Sequence, residues 1–511
     1  MFCIVAMFGC SPVQRADGFI YYRLIANPST LDPALITDVS ASTVAAKLYN
    51  GLVRLNGDLE VIPDIAGRWT LSKDGLRYRF VLRSDVSFPD GRAVQSGDVL
   101  YSFQRVLHPQ TRSPNAWIFQ HVLGADDYRN GKAITVSGLR VIDEHTFEIM
   151  LKQPFSPFIR MLTMTPAFIV QREVVEKLGA AFAYEPSGTG PFQLKLWKTD
   201  REVVLVRKEH YFGGAAKIQG IAYRIIPEDL TALTEFELGN LDIVALPASA
   251  HKKFTSTLRW REHIHTLQGM NTYYLGMNCS RLPMSDVRLR HAVSLAIDRK
   301  KILETFYEQR GRLASGPVVD MLRQWQLHGQ AQRYDAEAAR SLVRSIGAEG
   351  TMIKLLVTAD QEIADLAEIV QSYLKAAGLQ VQIKQLEWSA YKAALNQGEA
   401  DIFWLSWWAD YPDAENFLFP LFHSANHGPS GNRTRYVNHT VDRLIEQGQA
   451  AFAEYERNEA YRKAEELIVQ DAPWVFMWHK NEYVVQQPWI QGFRVYPVYT
   501  IDKGLEIAIR K

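Results

Sequence analysis

Residues 402–422 have the sequence IFWLSWWADYPDAENFLFPLF, an apolar run in which Asp410 stands among large aromatic rings just before Pro412. An apolar run bounded by turn residues is typical of a buried strand, and proline turns the chain out of a sheet. Asp410 is therefore expected where the chain leaves the strand, beside Trp407, Trp408 and Tyr411. A carboxylate in this setting suits a cationic or amphipathic small molecule. The alternative is a core strand followed by an acidic surface turn.

The residues before this run predict an open α/β layer. Strand-like alternation and a helical stripe of apolar residues follow one another, and Gly378 ends the longer helix. The predicted order is a strand at 353–357, a helix at 362–377, a strand at 379–383, a helix at 389–395 and a strand at 402–407. Ligands of such layers bind at the carboxyl ends of the strands, where Asp410 is expected. Further elements are predicted for the first half: a strand at 77–82, a helix that begins at Ser96 and two strands within 139–151.

Length and composition indicate a globular protein of several domains. The chain has 511 residues, of which 47% are hydrophobic and 22% are charged, with a formal net charge of +1. A chain of this length exceeds what one core supports, so two or three domains are expected. A near-neutral balance gives no reason to expect nucleic acid or an anionic membrane surface as a partner. Beyond the N-terminus, no run approaches the roughly 20 apolar residues of a membrane span.

The N-terminus resembles the end of a bacterial lipoprotein signal. Residues 1–9 are apolar and precede Cys10, which would become the lipidated first residue of the mature protein. The segment lacks a basic start, and a frayed apolar terminus is the alternative. Cys3 and Cys279 are the other cysteines, so no structural disulfide and no cysteine-based zinc site is predicted.

Sequence motifs of catalysis and of nucleotide binding are missing. The chain has no phosphate-binding glycine loop, no nucleophile elbow and no zinc-protease helix. His263 and His265 would point the same way from a strand, but a surface pair is the simpler interpretation, and no metal and no cofactor is predicted. Glycosidase-like chemistry needs two carboxylates at a defined separation, and the chain offers enough acids for it in Asp410, Asp413 and Glu415.

Short motifs along the chain occur in the order of a known family. They comprise NPSTLDP at 27–33, LYNGL at 48–52, WTLSKDG at 69–75, VSFPDG at 86–91, SGDV at 96–99, GTGPF at 188–192, YYLGMN at 273–278, DVRLRHA at 286–292, AIDR at 296–299, the aromatic block at 407–419 and DAPW at 471–474. Over nearly its whole length the chain resembles the bacterial extracellular solute-binding proteins of family 5. These are receptors of the oligopeptide- and dipeptide-binding type that feed ABC importers.

The resemblance implies an α/β, periplasmic-binding-protein-like clamshell of two lobes (type II, cluster C) with an extra inserted domain. After a signal segment and linker at 1–16, lobe I comprises residues 17–49, 187–270 and 487–511. The inserted domain spans 50–186, and lobe II spans 271–486. Two strands that link the lobes would form a hinge, and ligand would be enclosed by closure.

The resemblance also implies a function and a site. In peptide-binding members, the aspartate of a Trp-x-x-Asp element holds the α-amino group of the ligand, and Asp410 matches this aspartate. The ligand-binding residues predicted in this way are Asp410, Trp407, Trp408, Tyr411, Tyr273, Tyr274, Asn115, Trp117, Thr37 and Val39. For the last six of these a packing role is an equal alternative. Arg433 and Arg435 are open possibilities for the ligand carboxylate.

The predicted protein is a non-enzymatic, monomeric receptor in the periplasm or at the cell-envelope surface. Its partners would be a short peptide and the transmembrane subunits of an ABC permease, with no nucleic acid and with membrane contact only through a lipid anchor. The alternatives within this fold are receptors for a nickel chelate or an oligosaccharide. The alternative from a different functional class is an exported hydrolase that uses Asp410 and a second carboxylate.

Overall fold

The computed structural model of the protein describes residues 15–327 and 333–510. The predicted lipidation site Cys10 and the segment 1–14 lie outside this range. Strands and helices are interspersed along the chain. The strands are β1 Phe19–Leu24, β2 Val53–Leu55, β3 Val61–Pro63, β4 Ala66–Leu71, β5 Arg77–Leu82, β6 Leu139–Asp143, β7 Thr146–Met150, β8 Phe192–Lys198, β9 Glu202–Arg207, β10 Gly220–Ile225, β11 Ile243–Ala245, β12 Ile264–Gln268, β13 Asn271–Met277, β14 Gly311–Leu313, β15 Met352–Thr358, β16 Gln380–Leu386, β17 Ile402–Trp408, β18 Trp474–Gln486, β19 Ile490–Gln491 and β20 Ala508–Ile509.

Most helices pack on the faces of these strands. The α-helices are α1 Val39–Leu48, α2 Ser96–Leu107, α3 Ala125–Arg129, α4 Phe158–Met161, α5 Arg172–Leu178, α6 Asp229–Glu237, α7 Ala248–Ser256, α8 Leu258–Arg261, α9 Val287–Ala296, α10 Arg299–Thr305, α11 Ala336–Ser345, α12 Gln361–Ala376, α13 Trp388–Gln397, α14 Glu415–Phe422, α15 His439–Ala450 and α16 Glu454–Asp471. Within the described ranges, no helix is long and apolar enough to cross a membrane.

A 12-stranded sheet runs through the molecule in the order β16-β15-β17-β13-β18-β11-β1-β10-β9-β8, with β12 and β14 also paired to β18. The long strand β18 belongs to both halves of this sheet. Its first part, up to Trp478, pairs with β13, and its last part, from Asn481 onward, pairs with β12 and β11. β18 and the β12–β13 connection therefore pass side by side from one half-sheet to the other.

The predicted α/β layer is confirmed. β15 is parallel to both β16 and β17, with α12 and α13 as the connections. Asp360 caps α12 by accepting a hydrogen bond from the Ile363 amide, and Gly378 follows the helix at φ +92°, a conformation that glycine adopts without strain. Parallel strands end at one edge of a sheet, so the segment that follows β17 projects from the edge at which binding sites form.

A separate four-stranded sheet, β4-β5-β7-β6, lies earlier in the chain. β5 and the hairpin of β6 and β7 coincide with the predicted strands, and α2 begins at the predicted Ser96. This sheet and α2 bury a common cluster that includes Phe80, Phe103 and Phe147. The sheet lies inside the predicted inserted domain at 50–186, and the boundaries of all domains stay a prediction.

Candidate functional site

A cleft of about 560 Å³ opens beside the end of β17. Its walls come from the start of α1, the segment between α2 and α3, the segment between α4 and α5, the loop after β17, the crossing of the half-sheets and the C-terminal segment. The lining residues are Ile36, Thr37, Asp38, Val39, Ser42, Asn115, Trp117, Thr163, Met164, Thr165, Pro166, Met270, Trp408, Ala409, Asp410, Tyr411, Pro412, Glu482, Pro497, Val498, Tyr499 and Thr500. The volume falls within the range of ligand pockets, roughly 300 to 1,000 Å³.

Asp410 lies two residues past β17 and is exposed to the cleft. Its backbone amide donates to Oδ1 of Asn416 at 2.9 Å, which holds the turn in place. The walls of the cleft displace water around the carboxylate. This burial raises the pKa of Asp410, and a side-chain hydrogen bond with Asn416 offsets part of the increase. A carboxylate that is partly desolvated but reachable from the cleft is suited to an ammonium ligand.

Six further predicted residues line the cleft with Asp410. Trp408 is the last residue of β17, and 44% of its surface is exposed. Asn115 donates through Nδ2 to the carbonyl of Ile36 at 2.8 Å, so that one wall is tied to the segment before α1. The remaining predicted lining residues are Trp117, Tyr411, Thr37 and Val39. Sequence positions from three distant regions thus converge on one cavity.

Trp407, Tyr273 and Tyr274 do not line the cleft. Successive side chains of a strand face opposite sides of the sheet, so Trp407 packs with the cluster around Phe417 while Trp408 faces the cavity. Tyr274 is buried and stacks on Trp474, with ring centroids 3.3 Å apart. Tyr273 lies in the centre of the sheet, and burial raises its pKa to about 12. These side chains support the strand that carries Asp410.

The acids that follow Asp410 are occupied by structural contacts. Asp413 is buried and faces Arg160 at 3.5 Å and Arg457 at 3.6 Å. Glu415 is buried, accepts a hydrogen bond from the Tyr411 hydroxyl and accepts another from Nε2 of Gln449 at 2.8 Å. Neither acid lines the cleft, so neither can serve as the second carboxylate that a hydrolase built on Asp410 would need.

Tyr411 has two roles in this arrangement. It lines the cleft, and its ring packs into the cluster around the four-stranded sheet, 6.4 Å from the ring of Trp117. The loop after β17 therefore contacts the part of the chain that contains the four-stranded sheet.

Several lining residues were not predicted from the sequence. Glu482 lies in β18, and Asp38 precedes α1; Met270 and Tyr499 also contribute. An acid inside the strand WVFMWHKNEYVVQ is a signal that could have pointed to Glu482, because charged residues are rare in a central strand. Tyr499 lies in a segment of turns that carries no periodic signal.

Arg433 and Arg435, which were open possibilities for the ligand carboxylate, are not among the lining residues. Arg435 donates from Nη2 to the carbonyl of Asn396 at 3.0 Å and so packs on the end of α13. Among the described residues, no group of three or more His, Cys, Asp or Glu side chains could hold a metal ion. His265, one of the two spaced histidines, instead lies 3.0 Å from Oε1 of Gln486.

A larger cavity of about 1250 Å³ lies elsewhere and is lined by residues that include His291, Arg323 and Lys463. It contains none of the predicted site residues. Leu327 and Arg333, on either side of the undescribed segment 328–332, contribute to its wall. We assign no site to it.

The sheet has two halves, which are joined by strands that run side by side, and the cleft opens at its edge. This arrangement is that of a two-lobed, periplasmic-binding-protein-like α/β protein. The model of the bacterial extracellular solute-binding proteins, family 5, matches residues 60–429. The chain belongs to this family, as its motifs predicted, and the members of the family are solute-binding receptors.

The relatives cover nearly the whole chain. The probable D,D-dipeptide-binding periplasmic protein DdpA of Escherichia coli is 26% identical, over 93% of this chain and 90% of that protein. Heme-binding protein A of Haemophilus influenzae is 26% identical, over 93% of this chain and 89% of that protein. The unliganded open form of the periplasmic murein tripeptide binding protein MppA superimposes with a TM-score of 0.83 at 26% identity, and covers 97% of this chain and 98% of its own. Ligands thus differ between relatives that share the fold.

Proposed function

We propose that the protein is the substrate-binding receptor of an ABC importer, and that it captures short peptides in the cleft and delivers them to a membrane permease. The observation that carries the proposal is the exposed, partly desolvated carboxylate of Asp410 between aromatic walls. An amine that enters the cleft loses water, and an unpaired buried ammonium costs several kcal/mol. Asp410 supplies its partner. The names of the relatives DdpA and MppA support a peptide as the source of the amine.

The cellular setting belongs to the same proposal. The protein would act in the periplasm or at the surface of the cell envelope, as a monomer that meets the transmembrane subunits of the permease. Lipidation of Cys10 would hold it at the membrane, and several acyl chains are needed for stable attachment. Because Cys10 lies outside the described residues, its role stays a prediction.

The proposal is tested by replacing the charge of Asp410. In the Asp410→Asn variant the ligand ammonium loses its counter-charge at nearly constant volume. Breaking a buried pair typically costs roughly 3 to 5 kcal/mol, or two to three orders of magnitude in affinity. Calorimetry with a free-amine tripeptide and its N-acetylated form provides the measurement. Wild type should prefer the free amine strongly, and the variant should lose most of this preference.

Asp127→Asn is the matched control, because Asp127 is exposed in α3 and does not line the cleft. It should bind both peptides as wild type does. Equal binding of the free and acetylated peptides by wild type would show that Asp410 is not an amine clamp. Binding of a glycan, a metal chelate or haem in the absence of any peptide binding would overturn the peptide proposal itself.

A further inference from the structure

The charge of the cleft is one-sided. Three carboxylates line it, those of Asp38, Asp410 and Glu482. Among the described residues that form its wall, none is a lysine, an arginine or a histidine. A peptide with a free amine and a free carboxylate carries one charge of each sign. This lining offers more negative charge than one amine uses, and no basic side chain for the carboxylate.

Glu482 is the carboxylate that the proposed function leaves unexplained. It lies in β18 opposite Leu267, just after the strand enters the second half-sheet. Within the part of the chain that the structure describes, its side chain makes no hydrogen bond or ion pair, although burial raises its pKa. The charge of Lys480, two residues earlier on the same strand, opposes part of this increase, but Lys480 does not line the cleft. The Glu482 carboxylate therefore faces the cavity with no counter-charge in the cavity wall.

Asp38, by contrast, is already engaged. Its Oδ1 accepts a hydrogen bond from the Ala41 amide at 2.7 Å as the cap of α1, and its Oδ2 accepts another from the Ser29 hydroxyl at 2.5 Å. The positive end of the helix dipole also offsets its charge. Two carboxylates, those of Asp410 and Glu482, thus remain for the ligand.

We propose that Glu482 is a specificity-determining residue, and that the ligand brings a second positive charge to it in the form of a lysine or arginine side chain. This inference rests on the proposed function, in which Asp410 takes the α-amino group. A peptide with a lysine or arginine side chain brings one positive charge to each of these two carboxylates. An acidic peptide would place like charges together in a partly desolvated cavity, which is unfavourable.

The test uses alanine-based tripeptides that carry lysine at the first, second or third position, each matched with a norleucine peptide and a glutamate peptide. Norleucine keeps most of the apolar stem of lysine and removes the charge. Hydrogen bonds to charged groups contribute enough that wild type should bind its best lysine peptide roughly 10 to 100-fold more tightly than the norleucine counterpart. The glutamate peptide should bind more weakly than both.

Glu482→Gln should lose most of the preference for lysine while it keeps the preference for a free amine. Glu482→Asp retains the charge and should retain a preference for lysine, which a purely structural role would not predict. Glu368→Gln is the matched control, because Glu368 is exposed on α12 and does not line the cleft. If Glu482→Gln fails to fold, the comparison of lysine and norleucine peptides in wild type still tests whether the cleft prefers a second positive charge.

Two negative results are distinguishable. Equal affinity of wild type for lysine and norleucine peptides, with the free amine still preferred, would overturn the role of Glu482 and leave the proposed function intact. Absence of binding by every peptide, lysine peptides included, would overturn both.

Discussion

Glu415 is a buried acid next to the candidate site, and its protonation is coupled to folding. Burial raises its pKa to about 7, which the hydrogen bonds from Tyr411 and Gln449 oppose and the charges of Asp413 and Asp410 reinforce. The folded protein holds this proton up to about pH 7, whereas an unfolded chain releases it near a pKa of about 4.3. The stability that protonated Glu415 contributes is therefore present at low pH and is lost as the pH rises through 7.

We predict that, between pH 5 and pH 8, the free energy of unfolding of wild type falls relative to that of the Glu415→Gln variant. The share of Glu415 is up to about 3 kcal/mol, from the difference between its pKa values in the folded and unfolded states. A neutral amide at this position keeps a hydrogen-bonding group without the charge. Urea unfolding at several pH values measures how the free energy of unfolding depends on pH in wild type and in the variant.

Part of the pH dependence should remain in the variant. Glu465 is a second buried glutamate whose pKa burial raises to about 7, despite the charge of Arg323 and a hydrogen bond from Trp325. Its contribution has the same sign, and Glu415→Gln leaves it in place. The buried histidines His121 and His479, whose pKa burial lowers to about 4, contribute with the opposite sign in both proteins. The same pH dependence of stability in wild type and variant would contradict the raised pKa of Glu415.

One buried side chain, that of Asn271, helps to join the strands that cross between the half-sheets. Asn271 begins β13, and its Oδ1 accepts a hydrogen bond from the Lys480 amide at 2.7 Å. Its Nδ2 donates to the Lys480 carbonyl at 3.2 Å, and its own carbonyl lies 2.9 Å from Nδ1 of His479. The two strands that pass between the half-sheets are thus joined at the position where a hinge is predicted.

Asn271→Ala should destabilise the fold by about 1 to 3 kcal/mol, because it leaves the backbone amide of Lys480 without its hydrogen-bond partner. Asn481→Ala is the control on the same strand. The Asn481 side chain makes no hydrogen bond among the described residues, and its loss should cost less than about 0.5 kcal/mol. Urea unfolding at fixed pH measures both values. Equal losses in the two variants would show that Asn271 does not join the strands.

At the scale of the whole molecule, the cleft lies between parts of the chain that are connected in two ways. The paired strands cross between the half-sheets at the base. The loop after β17 contacts the cluster around the four-stranded sheet through Tyr411, and Asp413 faces Arg160 of α4. A ligand that touches both sides of such a cleft favours a closed arrangement, because it binds that arrangement more tightly.

We predict that a bound peptide stabilises the protein and makes it more compact. At a ligand concentration of a hundred times Kd, mass action raises the stability by about 2.7 kcal/mol. Thermal unfolding measures the stabilisation, and small-angle X-ray scattering measures the radius of gyration. Asp410→Asn with the same peptide concentration should show a smaller shift in Tm and less compaction. An unchanged radius of gyration at saturation would contradict closure.

The order of elements was predictable where the local pattern is strong. The strands and helices between Met352 and Trp408 follow from alternation, a helical stripe and a capping glycine, all of which act within a few residues. The position of Asp410 after β17 follows from the same local signals. The predicted and observed bounds of these elements differ by only a few residues, because capping residues such as Asp360 mark the ends of helices in the sequence.

The sequence by itself determined the family, the α/β layer and the place of Asp410 at the end of a strand. Only the tertiary structure decided which side chains share the cavity with it. Trp407 and Tyr274 face away, because alternation along paired strands turns them into the core. Glu482 and Asp38 join Asp410, although they lie far from it in sequence. Such juxtapositions depend on how distant elements pack, and no local pattern of residues encodes them.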